Sequence, residues 1–294
     1  MGRVFSKLAA YVGLAVSMVF IQVGAETVKC ESIGEVLGHV QRFGANKETL
    51  AVFDVNSVLI IPSDPLLHFP AYTEKQKAIY FQCFIESLAN RGLFLRNSSE
   101  DTYYIYLAVW KLIKKSGTRC VNEGILSLNQ NLCRKKIPTI FVSESFDGRT
   151  LSGNGVPEIT KWLRKNLRKK GYQTYLPGDT KNGTVSYLEI PQEELPYENL
   201  MPCVVDEVVV STNLAKKSVC VKAFLDGKKI KIQRILLIDD NKETLADFEK
   251  FCERENVDFL GIYYTEGLLS TYTLSNGKFR SAWMELFQNM PFPE

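Results

Sequence analysis

The chain has 294 residues, of which 45 % are hydrophobic and 23 % are charged, and its formal net charge is +3. This composition is typical of a globular protein and excludes a disordered chain, because it supplies enough apolar residues for a sizeable core. Positive and negative charges nearly balance, and the sequence contains no basic stripe interleaved with aromatic residues. We therefore predict no nucleic-acid partner.

The first 25 residues differ from the rest of the chain. Arg3 and Lys7 precede an apolar stretch over residues 8–23, and small residues then lead to Glu26. This order is typical of a signal peptide, so we predict a signal peptide over residues 1–25 and a protein that is exported to the periplasm or secreted. The alternative is an uncleaved membrane anchor, because about 16 apolar residues are only slightly too few for a bilayer span. No other segment is apolar enough, so we predict no stable membrane span after cleavage.

The seven cysteines and two histidines indicate neither a defined disulfide pattern nor a zinc site. The cysteines include no Cys-x-x-Cys pair, and an odd number in an exported chain leaves at least one thiol unpaired. His39 and His68 are too few and too isolated for a histidine-based zinc site. We interpret both as structural or surface residues.

The spacing of apolar residues predicts the order of helices and strands. An amphipathic helix over residues 33–43 ends at Gly44 and is followed by a first strand over residues 49–53. The next part of the chain is helical without a strand signal, and its candidate helices are residues 74–90, 101–115 and 121–132. The later strands are predicted over residues 137–143, 206–212, 232–240 and 257–265, and the later helices over residues 157–170, 214–225 and 242–255. Residues 171–202 are predicted to form a loop or a short hairpin insert.

The later strands are continuously apolar and alternate with helices, which indicates a buried parallel sheet with helices on both faces. We therefore predict one α/β domain over residues 26–294, with a helical insert over about residues 61–136 directly after the first core strand. Ligands in such sheets bind beyond the carboxyl ends of the strands. The candidate site residues at those ends are Asp54, Asn56, Ser143, Lys216 or Lys217, Asp239 and Asp240.

These residues, in this order, resemble the motifs of the haloacid dehalogenase (HAD) superfamily. The segment "VFDVNSVL" is similar to its first motif, "TIFVS" to its second, the lysine of "LAKKSVCVKAFL" to its third and "ILLIDD" to its fourth. The similarity covers almost the entire mature chain. The leader and the tail most resemble a group of exported, functionally uncharacterised HAD-like proteins of intracellular bacteria. The resemblance implies a HAD-like, Rossmann-like sheet with a helical cap inserted after the first core strand.

The segment "ILLIDDNKETLADFEKF" also resembles the opening of a response-regulator receiver, which uses a similar set of acids, hydroxyl and lysine. A receiver carries its acidic pair first and its phosphorylated aspartate later. Here the acidic pair comes last, so the order of the motifs favours the HAD superfamily.

The resemblance implies a phosphoryl-transfer site that contains Mg²⁺. Asp54 would be the nucleophile that attacks phosphorus and forms an aspartyl-phosphate. The implied Mg²⁺ ligands are Asp54, the carbonyl oxygen of Asn56, Asp239 and Asp240. The cap would cover this site and select a small phosphorylated substrate.

A hydroxyl and a cation complete the implied site. Ser143 would donate a hydrogen bond to a phosphoryl oxygen, and Lys217 would place a positive charge beside it. Lys216 is adjacent, and the spacing alone does not show which of the two lysines points into the site. We favour Lys217 from its position relative to the following "AFL".

Asn56 departs from the pattern of the superfamily. Its phosphatases carry an aspartate there, which protonates the leaving oxygen and then activates water. A carboxamide cannot exchange a proton near neutral pH, and a positioned acid or base is typically worth on the order of 10² to 10⁴ in rate. We therefore predict an exported Mg²⁺-dependent phosphatase or phosphotransferase of low activity. The alternative is a catalytically inactive HAD-like effector or binding module with a protein partner.

Overall fold

The computed structural model describes residues 24–68, 72–90, 112–144, 158–177, 185–195, 201–206, 209–212, 215–269 and 275–288. Residues 1–23 of the predicted leader and residues 101–111 of the helix predicted over residues 101–115 lie outside these ranges. All seven cysteines lie inside them, and none is joined to another by a disulfide bond. Within the same ranges, no helix combines the length and the apolar character that a membrane crossing requires.

The described strands form two sheets. The strands are β1 (Ala25–Cys30), β2 (Thr49–Asp54), β3 (Ile60–Pro62), β4 (Thr118–Cys120), β5 (Thr139–Ser143), β6 (Val185–Tyr187), β7 (Cys203–Val205), β8 (Val209–Ser211), β9 (Arg234–Asp239) and β10 (Asp258–Tyr264). The central sheet has the order β1-β10-β9-β2-β5-β8-β7-β6, and β3 pairs separately with β4. The strands from β1 to β8 in that order run parallel, whereas β7 is antiparallel to both of its neighbours. The prediction of an α/β fold with a mainly parallel sheet is confirmed.

The described helices pack around this sheet. They are α1 (Ile33–Phe43), α2 (Glu74–Ala89), α3 (Glu123–Arg134), α4 (Glu158–Lys169), α5 (Lys217–Lys228), α6 (Lys242–Glu255) and α7 (Asn276–Gln288). Ser32 and Glu35 form a capping box at the start of α1, and Gly44 ends that helix with a φ of 65°. The Asn241 side chain accepts hydrogen bonds from two backbone N–H groups at the start of α6. These caps explain why the predicted limits of both helices agree with the observed ones.

Strand β2 lies between β9 and β5 inside the central sheet. It is buried along its whole length, which its apolar run over residues 50–53 allows. Phe53 is in register with Ile238 of β9, and Asp54 is in register with Val142 of β5. The carboxyl ends of these three strands therefore lie side by side.

The prediction of no strand between residues 62 and 136 was wrong. Strand β4 lies there and pairs antiparallel with β3. Each of these strands has only three residues, which is too short for an alternating pattern to show in the sequence. Helix α3 also lies in the predicted insert, but it contacts β5 and α1. The C-terminal part of the predicted insert therefore packs with the core of the domain.

Other elements were not assigned from the sequence. Strand β1 pairs with β10 from Ala25 opposite Phe259 to Cys30 opposite Tyr264, and it forms one edge of the central sheet. Strand β6 lies within residues 171–202 and pairs antiparallel with β7, which begins directly after that segment.

Helix α7, near the C-terminus, packs against α2 of the predicted insert. The ring centroids of Tyr80 and Trp283 are 4.7 Å apart, and those of Phe84 and Phe287 are 5.4 Å apart. Arg280 Nη2 lies 2.6 Å from Glu86 Oε2. The insert is therefore tied to the C-terminal part of the chain by aromatic packing and an ion pair.

Replacing Gly267 with alanine is expected to lower the free energy of unfolding by about 1 to 3 kcal/mol, because a Cβ there would overlap backbone atoms. That Cβ would lie 1.9 Å from the carbonyl oxygen of Ser57. Urea denaturation measures the change. The control is Gly227→Ala in α5, where a Cβ meets nothing within 4 Å and the helix is expected to gain up to about 1 kcal/mol. Equal stabilities of the two variants would contradict a close approach at Gly267.

Candidate functional site

The carboxyl ends of three neighbouring strands bring the predicted residues together. Asp54 is the last residue of β2, Ser143 the last of β5 and Asp239 the last of β9. These strands are adjacent and parallel, so their ends meet at one edge of the sheet. Lys217 is the first residue of α5, the helix that follows β8. Four residues that lie far apart in the sequence thus reach the same region.

A tight loop follows Asp54. Val55 N donates to Val142 O at 3.0 Å, and Ser57 N donates to Ile60 O at 2.9 Å. Ser57 has a φ of 61°, in the left-handed region that non-glycine residues rarely adopt. The loop places Asn56 at partial exposure directly after the buried Asp54. These hydrogen bonds to neighbouring backbone stabilise that arrangement.

The amine of Lys217 lies between two aspartates. Its Nζ is 2.7 Å from Asp54 Oδ1 and 2.8 Å from Asp239 Oδ2, and all three side chains are at most 4 % exposed. Lys216 is 65 % exposed, and its Nζ lies 3.8 Å from Asp247 Oδ1. The spacing in the sequence did not show whether Lys216 or Lys217 enters the site. The structure shows that Lys217 points inward and that Lys216 does not.

Three carboxylates lie close enough together to share a cation. Asp54, Asp239 and Asp240 each offer an oxygen, and these three atoms lie within 4.8 Å of one another. Asp239 is held in place at both oxygens, since Oδ1 accepts from Asn241 N at 2.9 Å and Oδ2 accepts from Lys217. One lysine cannot balance three carboxylates. The oxygen-only donor set and the uncompensated negative charge fit a hard divalent cation such as Mg²⁺.

The pKa shifts at the site have identifiable causes. Burial raises the pKa of Asp54 well above its usual range, and Lys217 opposes that rise. Burial, reinforced by the charge of Asp239, raises the pKa of Asp240 to about 6. Burial also acts against the charge of Lys217, but Asp54 and Asp239 outweigh it, and the pKa of the amine is raised. The ammonium group of Lys217 therefore stays charged. The three closely spaced carboxylates favour the binding of a cation among them.

An open cleft of about 610 Å³ leads to the cluster. The residues lining it that bear on the chemistry are Asp54, Asn56, Glu144, Lys217, Asp240 and Lys242. The side chain of Ser143 is fully buried and does not line the cleft, and its carbonyl oxygen accepts from Thr212 N at 3.0 Å. The structure therefore places Ser143 at the predicted strand end, while its predicted contact with a phosphoryl oxygen stays a prediction.

One family model covers most of the chain. It is described as "Protein of unknown function (DUF2608)" and matches residues 29–271. The chain belongs to this family. The DUF2608 match includes every predicted site residue, from Asp54 to Asp240, together with the turn that contains Gly267. No curated protein matches the chain.

The sequence did not predict some of the residues that lie around the site of this DUF2608 protein. Ser57 and His68 contact each other, with Ser57 Oγ 3.3 Å from His68 Nε2, and both side chains are buried. The position of Ser57 directly after Asn56 could have indicated that it lies near the site. Nothing in the sequence indicated that His68 contacts the same loop. Lys242 also lines the cleft, and its Nζ lies 5.1 Å from the centroid of the Tyr263 ring.

Proposed function

We propose that this protein is a HAD-like, Mg²⁺-dependent phosphatase or phosphotransferase of low activity that acts through an aspartyl-phosphate on Asp54. The observation that carries the proposal is the position of the Lys217 amine, within 2.8 Å of both Asp54 and Asp239. The nearby Asp240 completes a set of acids suited to a hard cation. An acid, a buried lysine and a cation site at the edge of a parallel sheet are the elements that phosphoryl transfer to a carboxylate requires.

In the proposed reaction, the carboxylate of Asp54 attacks phosphorus, and the bond from phosphorus to the leaving oxygen breaks. The leaving oxygen takes a proton from solvent. Water or an acceptor hydroxyl then attacks the phosphorus of the aspartyl-phosphate, which frees Asp54 and returns a proton to solvent. Lys217 stays charged and faces the developing negative charge throughout. Asp54, Asp239, Asp240 and the Asn56 carbonyl would hold Mg²⁺, which would supply charge that screens the approach of the phosphate to the carboxylate.

Asn56 limits the proposed activity because its amide cannot give or take the proton that each step needs. The expected consequences are a slow turnover and a longer-lived phosphoryl group. The same residue favours a second candidate function, a catalytically inactive binding module that keeps the HAD-like site and recognises a protein partner. Covalent phosphorylation or multiple turnover separates the two, whereas Mg²⁺ binding alone does not.

The proposal includes a cap and an export route. The predicted insert over about residues 61–136 would act as the cap that admits a small phosphorylated substrate. Of this insert, helix α2 packs on α7 and lies within the described chain. The predicted signal peptide over residues 1–25 would direct the protein to the periplasm or outside the cell.

The first test is Mg²⁺-dependent phosphate release, measured with the purified protein over a broad panel of phosphate esters. We expect slow release that is lost in Asp54→Ala, because the nucleophile is removed. The control is Asp226→Ala, which removes an aspartate whose side chain is 66 % exposed and is expected to change nothing. Mass spectrometry of the quenched protein locates any phosphoryl group. Silence in the native protein and in Asn56→Asp alike would overturn the enzyme proposal and favour the binding module.

A further inference from the structure

A second lysine lies in the cleft that leads to the proposed site. Among the described residues that line this cleft, the two cationic ones are Lys217 and Lys242. The amine of Lys217 is already engaged, since it contacts both Asp54 and Asp239. Lys242 is exposed, and none of the ion pairs between described residues includes it. Lys242 is therefore the cation with which an anionic group in the cleft can pair.

An aromatic ring determines where the amine of Lys242 lies. Its Nζ is 5.1 Å from the centroid of the Tyr263 ring, a separation at which the face of the ring attracts an ammonium group. Tyr263 lies in β10, in register with Asp239 at the end of β9, and it also lines the cleft. The ring therefore favours a position of the amine at the carboxyl edge of the sheet, on the β10 side of the acids.

The order of the strands separates Tyr263 from the proposed nucleophile. Asp54 ends β2, and β9 lies between β2 and β10. Neighbouring strands are about 4.8 Å apart, so the ends of β2 and β10 are roughly 10 Å apart. A phosphoryl group bound at Asp54 would therefore leave the amine of Lys242 facing another part of the same ligand.

The start of α6 adds positive potential beside Lys242. Lys242 is the first residue of this helix of 14 residues, and aligned peptide dipoles place a partial positive charge at a helix N-terminus. The helix and the ammonium group therefore attract an anion to the same place. Two carboxylates, of Glu144 and Glu243, also line the cleft and would favour a cation instead. Glu144 follows β5, which lies on the opposite side of β2 from β10, so its charge acts in another part of the cleft.

We infer that Lys242 is a binding residue that selects phosphate esters with a second anionic group, such as a carboxylate, at a distance from the phosphorus. This inference rests on the proposed function, because it requires the phosphoryl group of the ligand to bind at Asp54. Lys242 pairs with the second anion on the β10 side of the cleft, and Tyr263 keeps the amine there. The substrate class that follows is a phosphate ester of a hydroxy acid or of a similar anionic compound.

The test is calorimetric titration of the full chain, at millimolar Mg²⁺, with phosphate esters of matched chain length. Hexyl phosphate carries no second charge, 6-phosphooxyhexanoate carries a carboxylate and 6-aminohexyl phosphate carries an amine. We expect the unmodified protein to bind the carboxylate ester about 2- to 5-fold more tightly than hexyl phosphate, which is the range for a solvent-exposed ion pair. The amine ester is expected to bind no more tightly than hexyl phosphate.

Lys242→Met removes the ammonium group and is expected to abolish this preference, so that the carboxylate ester and hexyl phosphate bind equally. The control is Lys250→Met, which removes another exposed lysine of α6 that does not line the cleft. We expect this control to retain the preference. A merely structural role of Lys242 would instead change the affinity for both esters alike.

Two variants of Tyr263 test the contribution of the ring. Tyr263→Phe keeps an aromatic face beside the amine and is expected to retain the preference for the carboxylate ester. Tyr263→Leu removes that face and is expected to reduce the preference. Equal preference in both variants would overturn the role of the ring.

The outcomes separate this inference from the proposed function. If the unmodified protein binds hexyl phosphate and the carboxylate ester equally well, or binds the amine ester more tightly, the role of Lys242 is overturned and the proposed phosphoryl site stands. An equal loss of preference in Lys242→Met and Lys250→Met would show an effect of net charge and would also overturn that role. If none of the esters binds, both the phosphoryl site and the inference are overturned.

Discussion

Replacing Asn56 with aspartate is expected to raise the rate of Mg²⁺-dependent phosphate release by about 10²- to 10⁴-fold. The new carboxyl group would line the cleft, two residues after the proposed nucleophile Asp54, and could exchange a proton with the leaving oxygen and with water. The remaining groups are already in position, since Lys217 contacts both Asp54 and Asp239. Initial rates across the same panel of phosphate esters measure the gain.

Asn241→Asp is the matched control for this gain. Asn241 lines the same cleft, so the substitution adds the same charge there, and aspartate keeps the cap of α6. We expect no increase in rate, because the carboxylate at position 241 caps a helix. It does not take the position two residues after the nucleophile, where the proposed acid and base would act. An equal increase in both variants would show an effect of charge alone. A folded, Mg²⁺-binding Asn56→Asp protein without activity would contradict the role of Asp54 as nucleophile.

Replacing Lys217 with methionine is expected to lower the free energy of unfolding by about 3 to 5 kcal/mol, because two buried carboxylates lose their cation. Methionine keeps most of the volume of the side chain, so the change isolates the charge. Urea denaturation at neutral pH without divalent metal measures the loss. Lys216→Met is the control, and its 65 % exposed side chain predicts a change within about 0.5 kcal/mol.

The loss in Lys217→Met is expected to depend on pH. Burial raises the pKa of Asp54 above its unfolded value, and the charge of Lys217 opposes that rise. Removing the amine removes this opposition, so the pKa of Asp54 rises further in Lys217→Met. A carboxyl group with a raised pKa in the folded state binds its proton more tightly there, so the stability of the folded state falls as pH rises through that range. The deficit relative to the native protein should therefore shrink at acidic pH. A pH-independent deficit, or an equal loss in Lys216→Met, would contradict the buried ion cluster.

The core of the fold was predictable because its signals are local. Strands β2, β5 and β9 are continuous apolar runs, and α1 and α6 begin with capping side chains. Other elements lacked such signals. Strands β3 and β4 have three residues each, and β1 is half polar and is stabilised by its pairing with β10, more than 200 residues away in the chain.

The site was predictable only as far as topology determines it. Parallel strands end at the same edge of the sheet, so Asp54, Ser143 and Asp239 were expected to lie close together. The orientation of each side chain was not available from that rule. Which of Lys216 and Lys217 points into the site depends on the residue at which α5 begins, and the sequence did not give that residue. The side chain of Ser143 is buried and does not line the cleft. His68 reaches the loop through a turn whose path depends on the tertiary structure.

The pairing of β1 with β10 also has a consequence for the order in which the chain folds. Residues 25–30 are synthesised early, but their partner strand ends at Tyr264, so this edge of the sheet forms only after most of the chain has been made. Contacts between such distant segments form slowly. The backbone N–H and C=O groups of β1 that face β10 therefore stay unpaired with their final partner until late in synthesis, whereas the strands from β2 to β8 can pair without β1.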